Sequence, residues 1–377
     1  MRFDWSDHQR ELFDAARQFG RERLSESFGD ESGLRRAFSR LGEFGALGLT
    51  VSPRFGGMGL DALTSARTTE GLGEGARDLG VLFSGSAHLH ACAAPIDRHG
   101  SDELRRRFLP RMCSGEWIGA NAMTEPGAGS DVSTLETTAR RDGDCYVLDG
   151  TKSYVTNGPQ CDVVLVYATT EPSHGYLGVT AFVVERSTPG LVVGERFETM
   201  GLESSPIGSM YLDGCRVPVS QRLGAEGEGA AIFSESMHHE RTGLMAAWCG
   251  AMTRQLDMVV EHARERRQFR RPIGKFQAVS HRIADMKLRL DAAQLLLYRA
   301  CWARDQGEQA SVEVSLAKLA ISEAAIQSSM DAIRLFGGSG YVKEMGIEQM
   351  LRDAVPTAIF SGTSEIQRDL VAKGLGL

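Results

Sequence analysis

Proline is spread unevenly along these 377 residues, and that unevenness limits what the chain can build. None of the eleven prolines lies in residues 1–52, nine fall between 53 and 218, and only Pro272 and Pro356 occupy the last 159. A proline inside a helix removes a backbone donor and clashes with the preceding turn, so long helices are expected at both ends and shorter elements between them. At the first end, Ser6 can cap a helix whose apolar positions Leu12, Phe13, Ala16 and Phe19 follow the helical period. Leu41, Phe44 and Leu47 continue that pattern, and 104–113 is a further helix, in a region expected to hold four to six. The middle shortens its period: Asp149-Gly150 and Asp213-Gly214 read as hairpin turns, with strands over 146–148, 152–156, 162–169, 179–185, 191–197 and 209–212. After Gly229, residues 231–266, 276–306 and 311–336 form helices long enough to pack as an antiparallel bundle, joined by a fourth after Thr363. With 42% hydrophobic residues the chain can bury a large core. The expected class is α+β: an all-α domain over 1–118, a central β-barrel or sandwich over 119–228, and a C-terminal four-helix bundle over 229–377.

Several functions are disfavoured. The longest apolar run, about seven residues around 163–168, is far below the ~20 of a membrane helix, and the opening Met1-Arg2-Phe3-Asp4-Trp5-Ser6-Asp7 does not resemble a signal peptide. A net charge of -7 gives no pull toward nucleic acid. Seven cysteines without a CxxC pair suit a reduced cytoplasm and act as core filler. His88-x-His90 and His238-His239 lack the partners of a metal centre, and none is expected. Gly71-Leu72-Gly73-Glu74-Gly75-Ala76 fits the dinucleotide fingerprint only loosely, having no strand before it, and reads as a glycine-rich link between helices. Ser315-Leu316-Ala317-Lys318 has SxxK spacing without its companion motifs. Arg264, Arg266, Arg267, Arg270, Arg271 and Lys275 place six cations in twelve residues, either a solvated helix end or a site for phosphate groups.

Three segments carry more. Met123-Thr124-Glu125-Pro126-Gly127-Ala128-Gly129-Ser130-Asp131 is either a turn-rich connector or a loop whose backbone can approach an anion or a flat ring. Phe336-Gly337-Gly338-Ser339-Gly340-Tyr341 joins helices. In Ser361-Gly362-Thr363-Ser364-Glu365-Ile366-Gln367-Arg368, Thr363 can cap a helix whose N-terminus could face a phosphate. Together these segments, about 230 residues apart and flanking a β region, resemble the acyl-CoA dehydrogenase family over nearly the whole chain. The resemblance implies FAD, placed between the β domain and the bundle. Matching positions are Met123, Thr124, Ser130, Tyr154, Thr156, Arg266, Phe269, Arg334, Gly337, Gly338, Thr363 and Glu365, some contributed by a neighbouring subunit. The arginine run would then meet the FAD pyrophosphate. Three positions depart from the family pattern: Tyr154 where tryptophan is frequent, Arg334 where glutamine is common, and Arg270 where glycine usually follows the phenylalanine.

Thioester α,β-dehydrogenation needs a base for the α-proton, an acceptor for the β-hydride and donors for the enolate-like oxygen. Many family members place the glutamate base immediately before "GT", where this chain has Ser361. Another branch, resembling isovaleryl-CoA and long-chain dehydrogenases, puts it before an arginine in the first bundle helix. His238-His239-Glu240-Arg241 matches that branch, so Glu240 is the expected base, Arg241 its support, and the backbone N–H of Ser361 an oxyanion donor. Burial is expected to raise the Glu240 pKa. These features are most similar to dehydrogenases of secondary metabolism that oxidise a prolyl or other aminoacyl group on a peptidyl carrier protein. Ordinary short or branched acyl-CoA oxidation is the alternative, ahead of a flavin oxidase or monooxygenase and a catalytically silent binding protein. An electron-transfer flavoprotein as acceptor and a homo-oligomer, tetrameric in preference, are also implied. If the substrate is carrier-bound, the basic run could instead dock an acidic carrier.

Overall fold

The computed structural model describes residues 4–26, 28–29 and 32–377; the first three residues of the polar opening lie outside them. The N-terminal region is helical: α1 (Asp7–Arg23), α2 (Gly33–Phe44), α3 (Ala62–Gly75), α4 (Leu79–His88), α5 (Ala94–His99) and α6 (Asp102–Cys113). Ser6 caps α1 reciprocally, its hydroxyl accepting from the Gln9 N–H while the Gln9 side chain accepts from the Ser6 N–H. A single π-turn, Leu89–Ala93, links α4 to α5. Pro95 has no N–H to offer the Ala91 carbonyl one turn back, and the Asn121 side-chain amide donates to that carbonyl instead, at 2.7 Å. This helical stretch, Leu79–His99, is long and apolar enough to cross a membrane, contrary to the expectation from apolar runs. Yet 89% of its most apolar window is buried inside the protein, as a central core helix would be.

The glycines of 71–76 do not link helices. They lie in the last turns of α3, except Ala76 that follows, and they let other backbones approach. A Cβ at Gly73 would sit 2.1 Å from the Ala247 carbonyl oxygen, and one at Gly75 would sit 2.1 Å from that of Arg17. Gly250 answers from the opposite helix: its Cβ would lie 2.0 Å from the Glu70 carbonyl oxygen.

The central region is one eight-stranded sheet: β1 (Gly119–Ala122), β2 (Thr138–Asp142), β3 (Cys145–Thr156), β4 (Val163–Thr169), β5 (Val179–Glu185), β6 (Leu191–Arg196), β7 (Ile207–Pro218) and β8 (Arg222–Leu223). Its order is β6-β7-β3-β2-β4-β5-β8, with β1 parallel to β4. Tyr146, Leu148, Val164, Val166, Phe182 and Val217 share its own core. Neither Asp-Gly pair is a hairpin turn. The tight turn is Gly143-Asp144, since Asp142 pairs with Cys145. Asp149-Gly150 and Asp213-Gly214 lie side by side inside β3 and β7, where the register slips between Leu148 and Gly150. The Gly214 N–H donates to the Asp149 carboxylate at 2.7 Å, and at Gly150, φ +154, a Cβ would overlap Thr137. The glycines here serve a β-bulge, a use that a dipeptide cannot distinguish from a turn.

The C-terminal region is the bundle α7 (Gly229–Glu265), α8 (Gln277–Asp305), α9 (Ser311–Phe336) and, after short helices α10 (Gly338–Tyr341) and α11 (Ile347–Ala354), α12 (Ser364–Gly374). Between α7 and α8, β9 (Arg267–Gln268) and β10 (Arg271–Pro272) form a hairpin turning at Phe269 and Arg270, φ +48 and +64. Side chains tie the three regions together. Asp305 accepts from the Ala62 and Leu63 N–H groups at 2.7 and 3.0 Å, and Asn157 donates to the Ser84 and Gly119 carbonyls, both at 3.0 Å. Asp353 accepts from the Leu202 N–H at 2.6 Å.

Candidate active site

Glu240 lies in the fourth turn of α7, and Ser361 in the segment before α12. The fold brings them into contact: the Ser361 hydroxyl donates to Oε1 of Glu240. Glu240 is only 9% exposed. Burial raises its pKa, against the opposing pull of the Ser361 hydrogen bond and the Arg241 charge. The segment is clamped from beneath. Arg241 Nε donates to the Ser361 carbonyl at 2.8 Å, Lys318 Nζ to the Gly362 carbonyl at 2.8 Å, and Gln367 to Gly362 at 3.0 Å. Burial pushes the Lys318 ammonium down to about 8. Ser361 itself has φ +54, a left-handed conformation rare for a residue with a side chain.

The glycine loop 123–131 leaves β1 and is braced by a buried ion pair. Lys152, fully buried, donates to Glu125 at 2.7 Å and to the Met123 carbonyl at 3.1 Å. Glu125 also accepts from the N–H groups of Glu136 and Thr137 at 2.6 and 3.0 Å, so its oxygens are well satisfied. The Ser153 N–H donates to the Thr124 carbonyl, which sets Met123 and Thr124 beside Tyr154 and Thr156. Tyr154 is 68% exposed and its ring meets that of Phe197, with centroids 5.4 Å apart. A Cβ at Gly127 or Gly129 would touch nothing, so with exposed Ser130 this backbone presents an open face on which a flat ring or a phosphate fits.

A chain of contacts joins this face to Glu240. Phe360, preceding Ser361, packs on Phe83 of α4 with centroids 4.8 Å apart. The next residue, Ser84, receives the Asn157 amide, and Asn157 directly follows Thr156. Thr363 caps α12, accepting from the Ile366 N–H at 3.3 Å, and Glu365 stands exposed in the first turn. The remaining expected FAD positions lie elsewhere. Arg266 and Phe269 follow the far end of α7, about 39 Å along the axis from Glu240 at ~1.5 Å per residue. Gly337 and Gly338 accompany them, because Phe336 stacks on His262 with centroids 4.1 Å apart. Arg334 is on the same end of α9, 3.8 Å from Asp331. The expected cofactor set is therefore split into two groups within one chain. The Arg270 departure also gains meaning: where glycine is usual, an arginine is held at φ +64.

A cavity of about 380 Å³, lined among others by His90, His238, His239, Thr242, Arg304 and Asp305, lies against α7 without touching Glu240. At roughly 100° per residue, Thr242 and His238 point to the opposite side of the helix from residue 240. Sequence reasoning missed the Ser361 hydroxyl, Lys318 and Gln367. Lys318 stood in the SxxK pattern, and a lysine among Ser315, Ala317, Leu319 and Ala320 was a signal of a buried cation needing an acceptor.

Comparison with known proteins agrees with this architecture. Family models described as the N-terminal, middle and C-terminal domains of acyl-CoA dehydrogenase match residues 6–116, 120–215 and 227–376. The chain belongs to the acyl-CoA dehydrogenase family and is an oxidoreductase of that type. Among its relatives is an L-prolyl-[peptidyl-carrier protein] dehydrogenase of Pseudomonas fluorescens, 47% identical over the full length of both chains. A solved structure described as PigA with FAD and proline is 42% identical, also covers both chains fully, and superposes with a TM-score of 0.96. The prolyl acyl carrier protein oxidase AnaB is 41% identical over 99% of this chain and 100% of its own, again with a TM-score of 0.96.

Proposed function

We propose that this chain is a FAD enzyme that dehydrogenates a prolyl thioester tethered to a peptidyl carrier protein, with Glu240 removing the α-proton. The observation that carries the mechanism is the contact between Glu240 and Ser361. It supports this reading because a buried carboxylate, its pKa raised by desolvation, meets the side chain of residue 361, the position from which the resemblance has many members supply their base. When bound, FAD supplies the acceptor for the β-hydride. Thr124, Ser130, Tyr154 and Thr156 offer it the open face of the β domain, with Met123 buried next to Thr124, and Thr363 and Glu365 border it from α12. Glu240 holds the abstracted proton; Arg241 supports the carboxylate electrostatically and steadies the Ser361 carbonyl. The Ser361 N–H serves as an oxyanion donor for the thioester oxygen, a role that does not need its side chain.

The second cofactor group, Arg266, Phe269, Arg334, Gly337 and Gly338, is too far from Glu240 to serve the same FAD and belongs to the site of a neighbouring copy. This supports a homo-oligomer, in preference a tetramer, as does a row of exposed Leu288, Leu295 and Trp302, seven residues apart on α8. Seven unpaired cysteines, six of them buried, suit a reduced cytoplasm. The prolyl-carrier substrate is favoured by the names of full-length relatives at 47% and 42% identity. Anaerobic titration of the FAD-loaded protein tests it. Prolyl-loaded carrier protein should bleach the flavin faster than any short acyl-CoA, and faster bleaching by an acyl-CoA would overturn the substrate assignment. Electrons are assigned to an electron-transfer flavoprotein. One relative favours a second reading with oxygen as acceptor, since AnaB is described as an oxidase. Rapid reoxidation in air with product bound would select that reading.

A further inference from the structure

The side chain of Ser361 occupies the place where much of the family carries its base, and in this chain it does not replace that base. It faces the substitute. Its hydroxyl donates to Oε1 of Glu240, while among the described residues no donor reaches Oε2. The serine is itself immobilised: Arg241 and Gln367 hold its carbonyl at 2.8 and 3.4 Å, and Lys318 and Gln367 hold that of Gly362 at 2.8 and 3.0 Å. Retaining a side chain at φ +54, where glycine would be unstrained, has a cost that the hydrogen bond offsets. Phe360 packs on both Phe83 and Trp248, with centroids at 4.8 and 5.6 Å, which anchors the segment to α4 and α7.

We propose that the Ser361 hydroxyl is a positioning group, occupying Oε1 of Glu240 so that the carboxylate is held in one rotamer with Oε2 free to take the α-proton. The proposal rests on Glu240 being the base. It adds that the two residues act as a unit, the serine orienting what the glutamate executes. Charged groups around the pair are few. Arg241 neighbours Glu240 on α7, Lys318 reaches the Gly362 carbonyl from α9, and His238, two residues back on the opposite side of α7, is bonded to Ser311 at 3.3 Å. The elements packed on the other side, α4 and α12, present Phe83 and the neutral Gln367, while Glu365 of α12 and Glu323 of α9 act on Lys318. The hydrogen bond stabilises the ionised carboxylate, so its loss should also raise the pH at which the base becomes active.

The test uses two variants of the FAD-loaded enzyme, Ser361→Gly and Ser361→Ala. Both keep the backbone N–H, and glycine fits φ +54 without strain, so folding is preserved. Anaerobic stopped-flow with prolyl-loaded carrier protein measures the limiting rate of flavin reduction, the half-saturating substrate concentration and the pH dependence. Both variants should slow reduction on the order of 10–100-fold, the scale for a misplaced reacting group. Half-saturation and FAD affinity should not move, and the rising limb of the pH profile should shift upward. Wild-type rates with an unshifted profile overturn the proposal, as does a change confined to FAD affinity. Glu240→Gln, measured in parallel, separates the layers. If it is inactive while both serine variants are normal, the positioning role fails and the base stands. If it reduces flavin normally, the base assignment itself fails.

Discussion

Near its start α7 holds Glu240, 9% exposed and bonded to a serine from another element. At its far end the chain runs into six cations over residues 264–275, all exposed, and none within ion-pair distance of a carboxylate among the described residues. One helix thus carries a charge whose surroundings the chain completes by itself and a group of charges it leaves open. A buried charge without its partners costs several kcal/mol, so the chain must supply them in the same fold. Exposed cations are solvated and nearly neutral to stability, and they can wait for a phosphate or a second copy. The inner end is closed around the proposed base. The outer end stays open to solvent.

Four experiments bear on that contrast. The largest effect is expected for Glu240→Gln, which should lower the rate of flavin reduction by about 10²–10⁴-fold in stopped-flow while FAD stays bound. Next, Lys152→Met removes one half of the buried pair under the glycine loop and leaves Glu125 uncompensated. Urea unfolding should show a loss of about 3–5 kcal/mol. Third, burial pushes the Asp353 carboxyl from 3.8 to about 6. The folded chain therefore holds a proton that the unfolded chain has released, and stability should fall as pH rises from about 4 to 6. The total is about 3 kcal/mol at ~1.36 kcal/mol per unit. Asp353→Asn should flatten this limb in urea titrations between pH 4 and 7. The smallest effect on folding belongs to the outer end: Arg266→Ala should leave the unfolding midpoint unmoved, yet weaken FAD about tenfold by calorimetry, the loss of one charged hydrogen bond. A large drop in stability there would erase the contrast.

Helices were the most legible part of the sequence. The span 311–336 is the observed α9, and 231–266 and 276–306 miss their helices by one or two residues at an end. Period and the absence of proline decide such elements locally. The Asp-Gly pairs misled because their conformation is set by the neighbouring strand, which no local pattern contains. The glycines of α3 misled for the same reason, being shaped by α7. In the candidate site, Glu240 was singled out by its arginine neighbour and by the lack of a glutamate at 361, and the fold brings it to Ser361. The Ser361 hydroxyl and the clamp of Lys318 and Gln367 were not, since they arise only when α7, α9 and α12 are brought together.

The near-touching backbones of α3 and α7 have a wider consequence. Gly73 and Gly250 each exclude a side chain because the other helix already fills its place, so the separation of the two rods is fixed from both sides. The carboxylate at 240 is borne on a rod whose height is set by the first third of the polypeptide. Recombining this enzyme with a relative therefore has a natural unit of exchange: a graft that takes the opening helices without the rod they abut would tilt that carboxylate, even with every residue around it unchanged.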